Sequence, residues 1–212
     1  EWSRVLSKLP PPKRTIEFVS VTGEEYGEFG FNAYVKKYVE PNPKAYKGGL
    51  VLDIIGNGDH LYYITQSICL VKLVSNSTII NEQITSICDS LGYVIEGTPL
   101  EFASDDGPFI LAGVETSYLA KLISSSWPWL HTYMDDYRVV DINGLKVIAE
   151  ISAMTIWTLA NQWEVSRDNK LQTGIGGISN KIERKVYEWT QNTMAKNTWP
   201  AIYYATNRIH SI

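Results

Sequence analysis

The sequence has few cysteines, no surplus of basic residues and no long apolar run. Only two of its 212 residues are cysteine, which excludes a small disulfide-stapled domain. With 19 Lys and Arg against 23 Asp and Glu, the net charge is −4, which argues against a nucleic acid as the partner. Polar residues interrupt the most apolar segment, residues 142–163, so we expect no membrane span. The composition, 44% hydrophobic, instead indicates a soluble globular domain with a substantial core.

The first residues look like the interior of a longer chain. Residues 1–9 have the apolar spacing of a helix, but no capping residue precedes them and no signal-peptide pattern is present. We therefore expect that an N-terminal part is missing, and the sequence assigns no cellular compartment.

Strand and helix patterns alternate along the chain, which predicts an α/β fold around a largely parallel sheet. The predicted strands are residues 15–21, 49–55, 61–65 and 114–123. The predicted helices are residues 1–9, 29–38, 81–91, 142–163 and 179–196. The strand at 49–55 is nearly all apolar, as expected of a strand buried on both faces. Residues 101–109 hold a polar segment that we predict to be a loop.

Ligands of such folds gather beyond the carboxyl ends of the strands, so polar residues after predicted strands are site candidates. These candidates fall in four places: Glu24 with Glu25, Asp53, Asp105 with Asp106, and His131 with Asp135. Adjacent acids such as Glu24 and Glu25 are compatible with surface charges at a helix start. They are equally the residues that a hydrolytic metal site needs, one to hold the metal and one to take a proton from water.

Asp53 and His131 each have a structural and a functional interpretation. Asp53 interrupts an apolar strand, so its charge must be paired, neutralised or bound to a cation, and a hydrogen bond from a loop N–H is the alternative to cation binding. His131 is either an ordinary loop residue or a zinc ligand whose second ring nitrogen donates to Asp135, Asp136 or a carbonyl. Cys69 and Cys88 lie in apolar surroundings and are expected to be buried thiols.

Four segments, in this order, resemble the M28 family of zinc exopeptidases, the co-catalytic metallo-aminopeptidases. They are residues 15–30 (TIEFVSVTGEEYGEFG), 52–58 (LDIIGNG), 104–114 (SDDGPFILAGV) and 131–141 (HTYMDDYRVVD). The resemblance implies a three-layer α/β fold with a mixed, mostly parallel sheet flanked by helices. It assigns residues 1–163 to the peptidase domain and leaves 164–212 as a helical extension that packs on this domain or on a partner.

The resemblance also implies the chemistry, which is hydrolysis of N-terminal peptide bonds in peptide substrates by a metal-activated water. Glu24 would be the general base, Glu25 and His131 ligands of one zinc, and Asp53 a ligand of the other. Asp105, Asp106 and Asp135 would support these residues or face the substrate. The family has a histidine in the position of Asp106, and this departure is consistent with an altered specificity or with a loss of function.

The family's first histidine ligand and its bridging aspartate have no counterpart here. A complete site would hold two zinc ions, and three of its five protein ligands are present, so we expect this chain to bind metal weakly and to have little or no activity. Two other functions stay open: a non-catalytic binding module on the same fold, and a glutaminyl-cyclase-like acyltransferase. The presence together of Glu24, Glu25, Asp53 and His131 favours the peptidase. A homo-oligomer is also left open.

Overall fold

The computed structural model describes residues 2–69, 72–99, 104–122 and 131–162. The chain divides into two compact units, one of residues 1–20 with 156–212 and one of residues 21–155. The predicted helix at 179–196 and the proposed extension 164–212 lie outside the described residues. None of the helices in the described ranges is both long and apolar enough to cross a membrane.

In the first unit, helix α1 spans Trp2–Leu6 and buries Val5 and Leu6, so the predicted N-terminal helix forms over a shorter range. The strand predicted at residues 15–21 is wrong. These residues pair with no strand in the described part of the chain, and Phe18 and Val19 are exposed. Their alternating pattern records a preference for extended backbone, whereas a strand also needs a neighbour with free hydrogen-bonding groups.

The second unit contains a mixed sheet, as predicted, and this sheet has five strands in the described ranges. Its strands are β1 (Gly49–Leu52), β2 (His60–Cys69), β3 (Lys72–Ser75), β4 (Ile95–Pro99) and β5 (Thr116–Leu122). The order is β1-β5-β2-β3, and β4 also pairs with β2. The β1/β5 and β2/β4 pairs are parallel, whereas β2 is antiparallel to both β3 and β5. Because β1 and β5 are parallel, their carboxyl ends lie at the same edge of the sheet.

Helices flank this sheet, and α3 and α4 contact β2 and β5. The helices are α2 (Phe29–Tyr34, continued by a π-helical turn to Val39), α3 (Thr78–Leu91), α4 (Asp106–Leu111) and α5 (Ile142–Gln162). Helix α3 begins earlier than predicted because the Ser77 side chain caps it by accepting from the N–H of Ile80. Cys88 on α3 and Cys69 on β2 are buried free thiols, which confirms that prediction.

Strand β1 differs from its prediction in length and burial. It ends at Leu52, so Asp53 follows the strand instead of interrupting it. Its residues are half-buried, because β1 pairs only with β5 among the described strands. Three elements were not predicted: β3 and β4, which are short, and α4, whose first residues have the polar composition of a loop.

Candidate active site

A tight turn presents the two adjacent glutamates. The 3₁₀ turn Glu24–Tyr26 is enclosed by Gly23 and Gly27, whose φ angles are 78° and 105°. Both angles lie in the left-handed region that favours glycine. The chain then folds back so closely that a Cβ at Gly30 would lie 2.4 Å from the carbonyl oxygen of Thr22. The glycines of the GEE segment therefore determine where the carboxylates lie.

Asp53 lies immediately after β1, at the edge of the sheet where ligands are expected. Its carboxylate is exposed and accepts one hydrogen bond on each oxygen. The N–H of Ile54 donates to Oδ1 (2.7 Å), and the phenol of Tyr118 on β5 donates to Oδ2 (3.0 Å). The alternative of a hydrogen bond to a loop N–H is therefore realised, and it leaves the exposed carboxylate accessible from solvent.

His131 contacts Glu25, which lies 106 residues earlier in the sequence. Its Nε2 lies 2.8 Å from Glu25 Oε1, and the two side chains are 63% and 61% exposed. The structure thus brings together the two residues that the resemblance assigns to one zinc. It does not bring Asp135 to His131: Asp135 is exposed, and Asp136 pairs with Arg138.

The non-glycine residues with positive φ in the described ranges all belong to these segments. They are Glu28 (56°), Ile54 (48°) and His131 (60°). A β-branched residue such as Ile54 is disfavoured in this region of backbone space. Such strain persists only where the surroundings hold it, and it is concentrated at functional sites.

Electrostatic coupling places Glu24 in the same neighbourhood. Burial and the charges of Glu25, Asp53 and Asp105 together raise the pKa of Glu24 to about 7, against the opposing effect of His131. The segments that carry Glu24, Asp53, Asp105 and His131 therefore share one electrostatic environment. A carboxylate with this pKa exchanges a proton near neutral pH.

Asp105 and Asp106 are oriented differently. Burial and the charge of Asp53 raise the pKa of Asp105 to about 7, and its Oδ1 is buried without a hydrogen-bond partner. Asp106 is fully buried, and its Oδ2 accepts from Ser67 Oγ (2.6 Å) and Asn76 Nδ2 (2.7 Å). Asp106 is therefore held inside the fold by two buried donors, whereas Asp105 keeps one carboxylate oxygen without a partner.

Sequence reasoning missed two polar residues of this region. Glu28 is buried, and its burial and the charges of Glu24 and Asp106 raise its pKa to about 7. Tyr118 is fully buried in the sheet, and burial together with the charge of Asp53 raises the pKa of its phenol above the usual range. Glu28 follows the GEE motif closely, which was the available signal. The sequence around Tyr118 carried none.

The donors fit zinc in kind but not in number. Imidazole nitrogen and carboxylate oxygen are zinc ligands, and Glu25, His131 and Asp53 are exposed enough to reach an ion. Across the described ranges, however, no group of three His, Cys, Asp or Glu side chains is arranged to hold one metal ion. These residues therefore constitute a partial donor set.

Comparisons with known proteins concern the chain as a whole rather than single site residues. The family model described as "Peptidase family M28" matches residues 1–156. The zinc aminopeptidase BSAP from Bacillus subtilis is similar in structure, with a TM-score of 0.65 and 21% identity over 76% of this chain and 40% of that chain. The LapA aminopeptidase from Legionella pneumophila has a TM-score of 0.64 and 16% identity, over 76% of this chain and 43% of its own.

No curated protein matches the sequence. This chain spans about two fifths of the length of the BSAP and LapA chains, and at these identities the likeness concerns the fold.

Proposed function

The chain belongs to peptidase family M28, and from that premise we propose that it carries part of the active site of a zinc-dependent aminopeptidase that acts on peptides. The observation that carries the proposal is the 2.8 Å approach of His131 Nε2 to Glu25 Oε1, next to Glu24. Two residues that are 106 positions apart in the sequence thus bring a nitrogen and an oxygen, both suitable metal ligands, next to each other. If Glu24 and Glu25 were only surface charges at a helix start, a histidine from a distant segment would not be expected beside them.

The roles follow from the surroundings of each side chain. Glu25 and His131 would hold one zinc, and Asp53 would be a ligand of a second. The chemistry that zinc would supply there is a more acidic water molecule and a polarised carbonyl at the bond to be cleaved. Glu24, whose carboxylate stands outside the Glu25–His131 pair, takes the proton from the attacking water and returns it to the departing amine.

The number of ions depends on ligands that this sequence does not contain. Glu25, Asp53 and His131 correspond to three of the five protein ligands in the family's two-zinc site. The proposal is therefore that this chain alone binds zinc weakly, and that full activity needs a histidine and a bridging aspartate in addition. The assignment of residues 1–163 to the peptidase domain and of 164–212 to an extension belongs to the same proposal.

Zinc content after metal loading and desalting tests this function. We compare the wild-type chain, including any sequence that precedes Glu1 in its gene, with His131→Ala and with the control His60→Ala. His60 is an exposed histidine paired with Asp59. Zinc that is lost in His131→Ala and retained in His60→Ala supports the proposal, and aminoacyl-p-nitroanilide hydrolysis is then assayed.

A metal-free binding module is the second candidate. The observation in its favour is that no three metal-binding side chains converge in the described ranges. An absence of zinc from the wild-type protein, or equal zinc in all three proteins, would contradict the peptidase site and favour this module.

A further inference from the structure

A cavity of about 320 Å³ lies in the second unit, apart from the candidate active site. Its lining comes from the start of β2, the connection between α3 and β4, the end of β5 and the first turns of α5. Lys121 of β5 lines it, three positions after Tyr118, the residue that contacts Asp53. Side chains alternate along a strand, so Lys121 and Tyr118 lie on opposite faces of the sheet. The volume is in the lower part of the range of small-molecule sites.

Lys121 brings a largely buried positive charge to this cavity. Its side chain is 10% exposed, and its Nζ lies 3.4 Å from Asp141 Oδ2. The same oxygen accepts from the N–H of Gly144 (3.0 Å), so Asp141 also caps α5. An ammonium has three N–H donors, and 3.4 Å is long for a charge-assisted hydrogen bond. Lys121 can therefore bind a second anionic group in addition to Asp141.

Two exposed carboxylates, those of Asp59 and Glu96, line the same cavity. They disfavour a simple anion, and the ammonium of Lys121 disfavours a simple cation. A zwitterion satisfies both signs, because its carboxylate can approach Lys121 while its ammonium stays at the exposed acids. Asp59 already pairs with His60 at 3.6 Å, so we take Glu96 as the partner of the ligand's ammonium.

The remaining walls are apolar. Leu61 and Val147 are half-buried, whereas Val94 is 82% exposed. The neighbouring Tyr93 is held by its hydroxyl, which donates to Glu150 Oε2 (2.9 Å). An apolar group that entered the cavity would remove these side chains from water, which is favourable in proportion to the area covered. The lining therefore fits a small zwitterion that has an apolar side chain.

We propose that this cavity binds a free α-amino acid with an apolar side chain. The ligand's carboxylate binds Lys121, its ammonium binds Glu96, and its side chain lies against the apolar walls. The inference goes beyond the proposed function and does not rest on it, because the residues of the candidate active site take no part in this binding.

The test is the binding of L-leucine to the full chain, measured by isothermal titration calorimetry. The protein is first treated with a chelator, so that a metal ion cannot bind the amino acid. We expect a Kd of about 1 mM or less. Two analogues test the charges: 4-methylpentanoate lacks the ammonium and 3-methylbutylamine lacks the carboxylate. Each should bind at least about tenfold more weakly than L-leucine, because it leaves one charged group of the cavity without its partner.

Two variants test the residues. Lys121→Met keeps the length of the side chain and removes its charge, so the affinity for L-leucine should fall at least about tenfold. The matched control is Lys72→Met, in an exposed lysine of β3, which should bind L-leucine as the wild type does. Because Lys121 is buried, circular dichroism checks that the variant folds. Glu96→Gln changes an exposed side chain, and its affinity should fall about threefold.

Four results would overturn the inference. They are an absence of saturable binding by L-leucine, an analogue that binds as tightly as L-leucine, an unchanged affinity in Glu96→Gln, and equal losses in Lys121→Met and Lys72→Met. Binding that is lost in His131→Ala would also overturn it, because the amino acid would then occupy the candidate active site. None of these results bears on the zinc content that tests the proposed function.

Discussion

Two neighbouring glutamates in one turn have different surroundings, and the difference supports the different roles proposed for them. The Glu25 carboxylate is exposed and meets His131, whereas Glu24 is half-buried and its pKa is raised to about 7 by burial and by nearby acids. A residue that accepts and returns a proton needs a pKa near neutral pH, which the half-buried position of Glu24 provides. A residue that binds a cation needs an accessible charged carboxylate, which the exposed position of Glu25 provides. Adjacent positions can differ in this way because a 3₁₀ turn directs successive side chains about 120° apart.

Replacement of Glu24 by Gln tests this division. We expect Glu24→Gln to lower hydrolysis by roughly 100-fold or more, because the amide cannot accept the proton from water. Zinc content should be unchanged, since Glu25, Asp53 and His131 remain. The measurement is turnover with zinc analysis, in whichever form of the protein shows peptidase activity. Turnover that is retained in the variant would exclude Glu24 as the general base.

Asp106 is a buried hydrogen-bond acceptor. Asp106→Ala would leave the Ser67 hydroxyl and the Asn76 amide without their common acceptor. We expect a loss of about 2 kcal/mol in the free energy of unfolding. Urea unfolding measures it, with the exposed Asp135→Ala as the control, expected within about 0.5 kcal/mol of wild type. Equal losses in both variants would show that the hydrogen bonds of Asp106 to Ser67 and Asn76 do not contribute to stability.

At the scale of elements, short connections determine how the site segments meet. The N–H of Lys121, near the end of β5, donates to the carbonyl of Ile54 (3.1 Å), and the N–H of Asp141 donates to Gly56 (2.7 Å). These bonds join the loop after β1 to β5 and to the start of α5. Asp141 in turn caps α5 by accepting from the N–H of Gly144. The loop that carries Asp53 is thus tied at several points.

Helix α4 packs on β2 so closely that only glycine fits at one contact. A Cβ at Gly107 would lie 2.6 Å from Cys69 Cβ and 2.7 Å from its Sγ. We expect Gly107→Ala to destabilise the protein by about 1–3 kcal/mol through overpacking. The control is Gly56→Ala, whose Cβ would meet Val140 at an ordinary 3.6 Å. Thermal unfolding compares the two, and a Gly107→Ala variant as stable as Gly56→Ala would contradict this packing.

At the scale of the whole molecule, buried carboxyl groups link stability to pH. Burial raises the pKa of Glu28 from 4.5 to about 7 and that of Asp105 from 3.8 to about 7. The folded state therefore holds protons that the unfolded state has released. Stability from these groups is complete below their unfolded pKa values and is lost as the pH rises through about 7.

The expected result is a thermal midpoint that falls between pH 4.5 and about 7, and falls less steeply in Glu28→Gln. Glutamine keeps the shape of the side chain but has no proton to release. The exposed Glu96→Gln serves as the control and should follow the wild-type profile. Identical profiles for wild type and Glu28→Gln would show that Glu28 does not titrate across this range.

The sequence by itself determined the family and the segments that carry the candidate site, because each motif is a local pattern. Helix α3 was predicted from spacing alone, since its apolar face is written into consecutive turns. The tertiary structure decided what depends on distant partners: that His131 reaches Glu25, that Tyr118 holds Asp53, and that Glu28 and Asp106 are buried. It also decided that residues 15–21 pair with no strand in the described ranges and that β1 is half-buried. A residue's side chain sets its local preference, whereas its burial and partners depend on which segments the fold places against it.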